Sequence, residues 1–151
     1  MHLPDEAATL AWGARLARVI APGLSLHLHG DLGSGKTTLV RGLLRGLGYE
    51  GRVKSPTYTL VELYTVSRLN LYHFDFYRFK EPKEWRDAGL DEYFKDSSVC
   101  LVEWPEKAAG LLPAADLDLA LEFAGGGRDL SARAGTESGK ACVQGLMQMP
   151  L

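Results

Sequence analysis

Cysteine is almost missing from this sequence: Cys100 and Cys142 are the two among 151 residues. Two thiols cannot build a disulfide framework, and Cys100 lies inside the apolar run "VCLV", so reduced thiols in a cytoplasmic setting are expected. Long apolar stretches are missing too, since none approaches the roughly 20 residues of a membrane helix. The N-terminal "MHLPDEAATLAWG" has acidic residues where a secretory leader has basic ones, and no apolar stretch with a cleavage site follows. The expectation is a soluble cytoplasmic chain that does not engage membranes. Excess charge of either sign is also lacking: 17 Lys+Arg against 19 Asp+Glu give a formal net charge of -2. That balance excludes a global electrostatic drive toward nucleic acid or acidic lipid, so any RNA contact would be local or supplied by a partner. With no internal repeat or low-complexity linker, residues 1–151 are expected to form a single domain large enough to bury one core.

What the chain does have is alternation of strand-like and helix-like segments. Leu10, Ala14, Ala17 and Ile20 recur at near-helical spacing and predict an amphipathic helix over Asp5–Ile20, stopped by Pro22 and Gly23. Leu24, Leu26 and Leu28 alternate in a short strand, and Leu39, Val40, Leu43, Leu44 and Leu47 form one face of a helix that Gly48 ends. "TYTLVELYTV" and "LNLYHFDFYRF" predict a hairpin-like pair of strands, and "PKEWRDAGLDEYF" has helical character. "VCLV" reads as a fully buried strand opening onto "EWPE". "LDLALEF" and "DLSARAG" flank a glycine turn as a second hairpin, and "KACVQGLMQMPL" is a short helix or a tail.

Between the first strand and the second helix lies "HGDLGSGKTTLV", in which Gly30, Gly35, Lys36 and Thr37 fill the pattern G-x-x-x-x-G-K-[ST]. In that pattern glycines let backbone N–H groups converge on phosphate, the lysine reaches the outer phosphates, and the hydroxyl joins a magnesium shell. A glycine-rich turn capping a helix does not account for a lysine and two threonines at a helix N-terminus, where amides and the helix dipole favour an anion. Asp31, Leu32, Gly33, Ser34, Gly35, Lys36, Thr37 and Thr38 are therefore the candidate nucleotide-binding loop. Hydrolysis also needs a strand-end carboxylate for magnesium, and both Asp75, after "LYHF", and Glu103, after "VCLV", fit that position. In "VKSPTYTLV", Thr57 could read a terminal phosphate as a switch segment does, though an ordinary Ser-Pro turn explains the residues nearly as well. Trp104 either stacks on a base or partner or fills space. Arg41, Arg45, Arg52 and Lys54 read as a solvated basic face, with a partner or RNA contact as the other reading. His27, His29 and His73 lack the regular spacing of a zinc site and read as core or surface residues.

The blocks "GDLGSGKTTLVRG", "VKSPTYTLVE", "YHFDFYR", "GLDEYF" and "CLVEWPE", in this order and spacing, resemble the TsaE (YjeE) family. The likeness runs from about Leu3 to about Glu106, and beyond Leu112 it is only general, which leaves the hairpin and tail from about residue 113 without an assigned role. The resemblance implies an α/β fold of the P-loop NTPase kind, with a mixed β-sheet flanked by helices. It implies ATP and Mg2+ as cofactors and a part in making threonylcarbamoyladenosine in tRNA. The implied partners are TsaD and TsaB, whose complex ATP hydrolysis would reset between turnovers, with tRNA reached indirectly. By the same resemblance Lys36 holds the β/γ-phosphates, Thr37 sits on magnesium with Thr38 nearby, and Glu103 and Asp75 are catalytic and metal-binding acids. Thr57 is the switch hydroxyl, Trp104 an aromatic beside the site, and Thr9 a contact to the outer part of the nucleotide. Ser34 stands where alanine is common in the family.

Two other functions fit the loop. A small-molecule kinase needs an acceptor pocket and an arginine-bearing lid, and few arginines lie between Asp75 and Val99. A nucleotide-gated assembly module needs the loop and magnesium acids but no rapid turnover. No N-K-x-D-like guanine reader is present, and the residues alone leave ATP against GTP open.

Overall fold

Seven strands form one sheet in the computed structural model, which describes residues 1–150, and their order is β1-β7-β6-β2-β5-β4-β3. In chain order the elements are β1 (His2–Leu3), α1 (Glu6–Leu16), β2 (Ser25–His29), α2 (Lys36–Leu47), β3 (Val61–Val66) and β4 (Leu69–Asp75). There follow α3 (Glu84–Asp87), β5 (Ser98–Glu103), β6 (Leu117–Ala124), β7 (Gly127–Ala134) and α4 (Glu137–Gln148), with 3-10 turns at Leu90–Tyr93 and Pro105–Ala108. The central four strands, β6-β2-β5-β4, are parallel, and an antiparallel hairpin closes each side, β3 on β4 and β7 on β6. The fold is thus the mixed sheet with flanking helices that the family resemblance implies.

Parallel strands are buried on both faces, and β5 shows it: all six of its residues, Ser98 to Glu103, are buried. One face carries Leu26, Leu28, Leu71, Leu101, Leu117 and Leu119 against α1, α2 and α4. The other face, over β4 and β5, carries Phe74, Cys100 and Val102 against Phe76, Phe79, Trp85 and Leu90. Cys100 and Cys142 are both free and buried, and burial pushes the Cys100 thiol up to about 12. No helix among the described residues is long and apolar enough to cross a membrane.

Helices α1 and α2 meet backbone to backbone, which fixes the height of the loop that begins α2. A Cβ on Gly42 would stand 2.9 Å from Leu10 Cα, and one on Gly13 would stand 2.8 Å from Leu43 N. Three predicted boundaries differ. Helix α1 ends at Leu16 rather than Ile20, because the chain tightens into i,i+3 bonds from Arg18 N to Arg15 O and from Val19 N to Leu16 O. Strand β3 begins at Val61, because Thr57–Leu60 is wound into a turn in which Leu60 N donates to Pro56 O and Leu60 takes φ 68°. The helical stretch before β5 is only the four-residue α3 and a 3-10 turn, separated by Gly89 at φ 74°. The C-terminal segment resolves as a helix, with the Thr136 side chain accepting from Gly139 N as its cap.

Candidate functional site

The candidate site lies where the parallel strands end. Strand β2 delivers the chain into the loop, β5 ends at Glu103 and β4 ends at Asp75, and the register places Glu103 beside both Leu28 and Asp75. Helix α2 then starts at Lys36, capped by Gly35 at φ 105° with no side-chain cap and no acid in its first turn. Its first amides are therefore offered to an anion rather than to the protein's own carboxylates. The positive φ makes glycine the residue suited to position 35.

Leu32, Gly33, Ser34, Gly35, Lys36, Thr37, Thr38, Ser55, Thr57, Asp75, Glu103 and Trp104 line a single cleft of about 260 Å³. The structure thus brings together most of the residues singled out in the sequence, from four separate segments. Lys36 Nζ donates to Gly30 O at 2.5 Å, stands 3.8 Å from Glu103 Oε1 and lies 4.0 Å over the Trp104 ring. Burial holds the Lys36 ammonium below the ordinary lysine range, against the opposing pull of Glu103 and then Asp75. Asp75 Oδ2 accepts from Thr57 Oγ1 at 3.0 Å, and Asp75 Oδ1 accepts from Tyr77 N at 2.8 Å. Thr57 Oγ1 is also 2.8 Å from Ser55 Oγ, so the Ser-Pro turn is tied to the strand-end acid. Trp104 sits in the left-handed region, φ 58° and ψ 49°, which turns its ring across the cleft beside Tyr77. The oxygen donors of Thr37, Asp75 and Glu103 on one cleft are the set a hard ion such as Mg2+ takes.

Two predicted residues lie elsewhere. Thr9, on α1, lines a second cleft of about 280 Å³ with Asp5, Glu6 and Arg128, on the other side of Gly33–Gly35. Asp31 is exposed on the outer edge of the loop, where its carbonyl accepts from Ser34 N at 3.0 Å. The two clefts share Gly33, Ser34, Gly35 and Thr38.

Two residues of this region were not picked out as site residues by sequence reasoning. His73 is fully buried, and its Nε2 lies 2.6 Å from Glu103 Oε2, holding that carboxylate from beneath the cleft. Arg128, on β7, donates through Nε to Ser34 O at 2.9 Å and through Nη2 to Gly33 O at 3.0 Å, bracing the loop from outside. His73 stands two residues before Asp75 in an alternating strand, which is the available signal that both face one way; nothing short-range marks Arg128. Of the basic cluster, Arg45 is occupied with Tyr49 O and Gly51 O, and Arg41 stands 3.8 Å from Glu6.

Comparison with known proteins shows the family and the fold. A family model described as "Threonylcarbamoyl adenosine biosynthesis protein TsaE" matches residues 3–130. The chain is 42% identical over 147 residues to the tRNA threonylcarbamoyladenosine biosynthesis protein TsaE of Haemophilus influenzae, covering 94% of this chain and 93% of the relative. It is 43% identical over 123 residues to the protein of the same name from Bacillus subtilis, covering 81% and 75%. The crystal structure of YdiB from Bacillus subtilis superposes with a TM-score of 0.85 at 33% identity, over 98% of this chain and 93% of that one.

Proposed function

This chain belongs to the TsaE family of threonylcarbamoyl adenosine biosynthesis proteins, and from that premise we propose that it is the ATP-binding and ATP-hydrolysing component of the tRNA threonylcarbamoyladenosine machinery. In this reading it binds the TsaB–TsaD complex, and hydrolysis resets that complex between turnovers. The observation that carries the nucleotide reading is the convergence of Lys36, Thr37, Asp75 and Glu103 on one cleft at the uncapped start of α2.

Each residue has a role that its position supports. Lys36 Nζ exchanges the Gly30 carbonyl for β/γ-phosphate oxygens, and the first amides of α2 hold the same phosphates. The remainder of the nucleotide extends across the shared loop toward Thr9. Thr37, Asp75 and Glu103 would hold Mg2+, which when bound screens the phosphate charge. Glu103, fixed by His73, is the carboxylate placed to orient the attacking water, and Thr57 reports through Asp75 on what fills the cleft. No arginine lines this cleft among the described residues, so transition-state charge has Lys36 and the loop amides as its stabilisers. Hydrolysis is accordingly slow for the protein alone and faster in complex with its partner.

The test is ATP hydrolysis by the purified protein, alone and with TsaB–TsaD, for wild type and Lys36→Ala. A low rate that the partner raises and the substitution abolishes supports the reading; partner-independent hydrolysis, or none in either state, refutes it. The same lack of a second cation favours one alternative, a module gated by bound ATP without need of turnover. Glu103→Gln separates the two: if complex formation and tRNA modification survive while hydrolysis is lost, the gating module is correct.

A further inference from the structure

Over β2 and β6, the sheet face turned away from α1 and α2 carries a cluster that the nucleotide reading does not use. His27 and His29 are two residues apart on β2 and so point to the same face, and the parallel register sets Asp118 of β6 beside His27. One ligand atom from each of His27, His29 and Asp118 lies within 4.8 Å of the others. His29 Nε2 is 2.8 Å from Asp118 Oδ1, and His27 Nδ1 is 3.9 Å from the same oxygen. An ion that binds nitrogen and oxygen at about 2.0–2.2 Å with tetrahedral angles keeps its ligand atoms about 3.3 Å apart. The two observed separations fall on either side of that spacing, so side-chain shifts of about half an ångström would satisfy the geometry.

Hydrogen bonding accounts for His29 and Asp118, which form an ordinary pair, but it leaves His27 unexplained. Its side chain is 12% exposed, its Nε2 is buried with no hydrogen-bond partner, and its Nδ1 lies beyond hydrogen-bond distance of Asp118. A ring nitrogen left without a partner is costly, and an ion held by Nδ1 would supply one on the side that faces Asp118.

We propose that His27, His29 and Asp118 form a binding site for a divalent d-block metal ion of the Zn2+ class, separate from the nucleotide cleft. Two imidazoles and a carboxylate are a borderline-soft donor set, which favours such an ion over Mg2+ or Ca2+. The His29 and Asp118 side chains are 38% and 27% exposed, so the remaining coordination position is open to solvent. His29 directly precedes Gly30, whose carbonyl accepts from Lys36, so the ion would pin β2 to β6 one residue before the phosphate-binding loop begins. In the sequence these histidines read as core or surface residues, and the third member of the cluster comes from another strand, 89 residues after His29.

The test is titration of the chelator-treated, nucleotide-free full chain with Co2+, followed by visible absorption, and then displacement by Zn2+. The expected result is one equivalent of Co2+ with the intense absorption of a low-coordinate site, lost on adding Zn2+, together with a higher Tm in Zn2+. His29→Ala and Asp118→Asn, both at partly exposed positions, should each weaken binding by at least about tenfold. Glu103→Gln should leave the signal in place. Absence of a low-coordinate spectrum, an unchanged signal in the His29 and Asp118 variants, or a signal lost with Glu103→Gln overturns the assignment.

Discussion

His73→Ala tests whether Glu103 is held in place for chemistry. The imidazole is fully buried, and with its proton on Nε2 it donates to Glu103 Oε2 across 2.6 Å, while the other carboxylate oxygen is 3.8 Å from Lys36 Nζ. Removing the ring deletes a hydrogen bond to a carboxylate, worth about 1.5–3 kcal/mol, and leaves a group with 4% exposure without its nearest partner. With the added cavity, the loss should be about 3–5 kcal/mol, the usual range for breaking a buried pair. At roughly 2–4 °C per kcal/mol for a chain of this length, Tm should fall by about 10 °C. His73→Gln keeps an N–H donor and should recover a good part of that loss. Stability alone would not distinguish positioning from packing, so the second readout is hydrolysis at a temperature where both variants are folded. Glu103 freed from His73 should lower kcat at least about tenfold and leave KM for ATP within about threefold, because the carboxylate acts on the reacting water rather than on ground-state binding. A variant that loses about 10 °C of Tm but keeps wild-type kcat would refute the positioning role, and one that keeps both would make the contact incidental.

Gly42→Ala should destabilise the protein by about 2–3 kcal/mol in thermal unfolding, since the new methyl group would stand 2.9 Å from Leu10 Cα and force α1 and α2 apart; an unchanged Tm would show that the helices can slide freely. Arg128→Ala should weaken ATP binding by about tenfold in a fluorescent-nucleotide titration, because it removes two donors, each worth about 1 kcal/mol or more, from the carbonyls of Gly33 and Ser34. Equal affinity would mean that the loop holds its shape without the brace. Lys36 supplies a pH test. Its pKa is lowered on folding, so between that lowered value and the ordinary lysine value the unfolded chain binds more protons, and stability rises with pH across this window. Relative to Lys36→Met, which lacks the titration, the wild type should gain stability as pH climbs toward the ordinary lysine value; a constant difference would show that the ammonium is not desolvated.

Much of the fold could be read from the sequence because its signals are local. Alternating leucines in Leu24–Leu28 and the helical face from Leu39 to Leu47 survive into the structure, and both hairpins form where turn residues separate β-rich runs. Of the boundaries that differ, one was set by a contact between distant segments. Thr57 to Leu60 has strand-like composition, yet Thr57 bonds to Asp75, eighteen positions away, and the turn it anchors delays β3 until Val61. The membership of the cleft was legible too, because a loop motif and two strand-end acids each carry their own pattern. Arg128 was not, since its partners lie 94 and 95 residues away and an arginine in a β-hairpin looks like any other surface cation.

Strand order explains why a motif and two distant acids suffice to build the site. Sequence places Asp75 and Glu103 at the ends of strands but says nothing about which strands are neighbours or at what height. The order β2-β5-β4 makes β5 the shared neighbour, and the parallel register aligns Glu103 with Leu28 on one side and Asp75 on the other. Side chains at 99, 101 and 103 of β5 share a face with those at 71, 73 and 75 of β4, so the helix that packs on Val99, Leu101 and Leu71 also presents Lys36 to both acids. A shift of one residue in the β4–β5 register would leave Glu103 opposite an adjacent residue whose side chain points to the other face. The core therefore sets the site: the same leucines that bury α2 fix the height at which its N-terminus meets the carboxylates. A core substitution such as Leu101→Ala should then disturb the cleft as well as stability, at a cost of about 2–5 kcal/mol. The check is nucleotide affinity measured well below the variant's lowered Tm, where an affinity equal to wild type would show that the loop keeps its position independently of the packing beneath it.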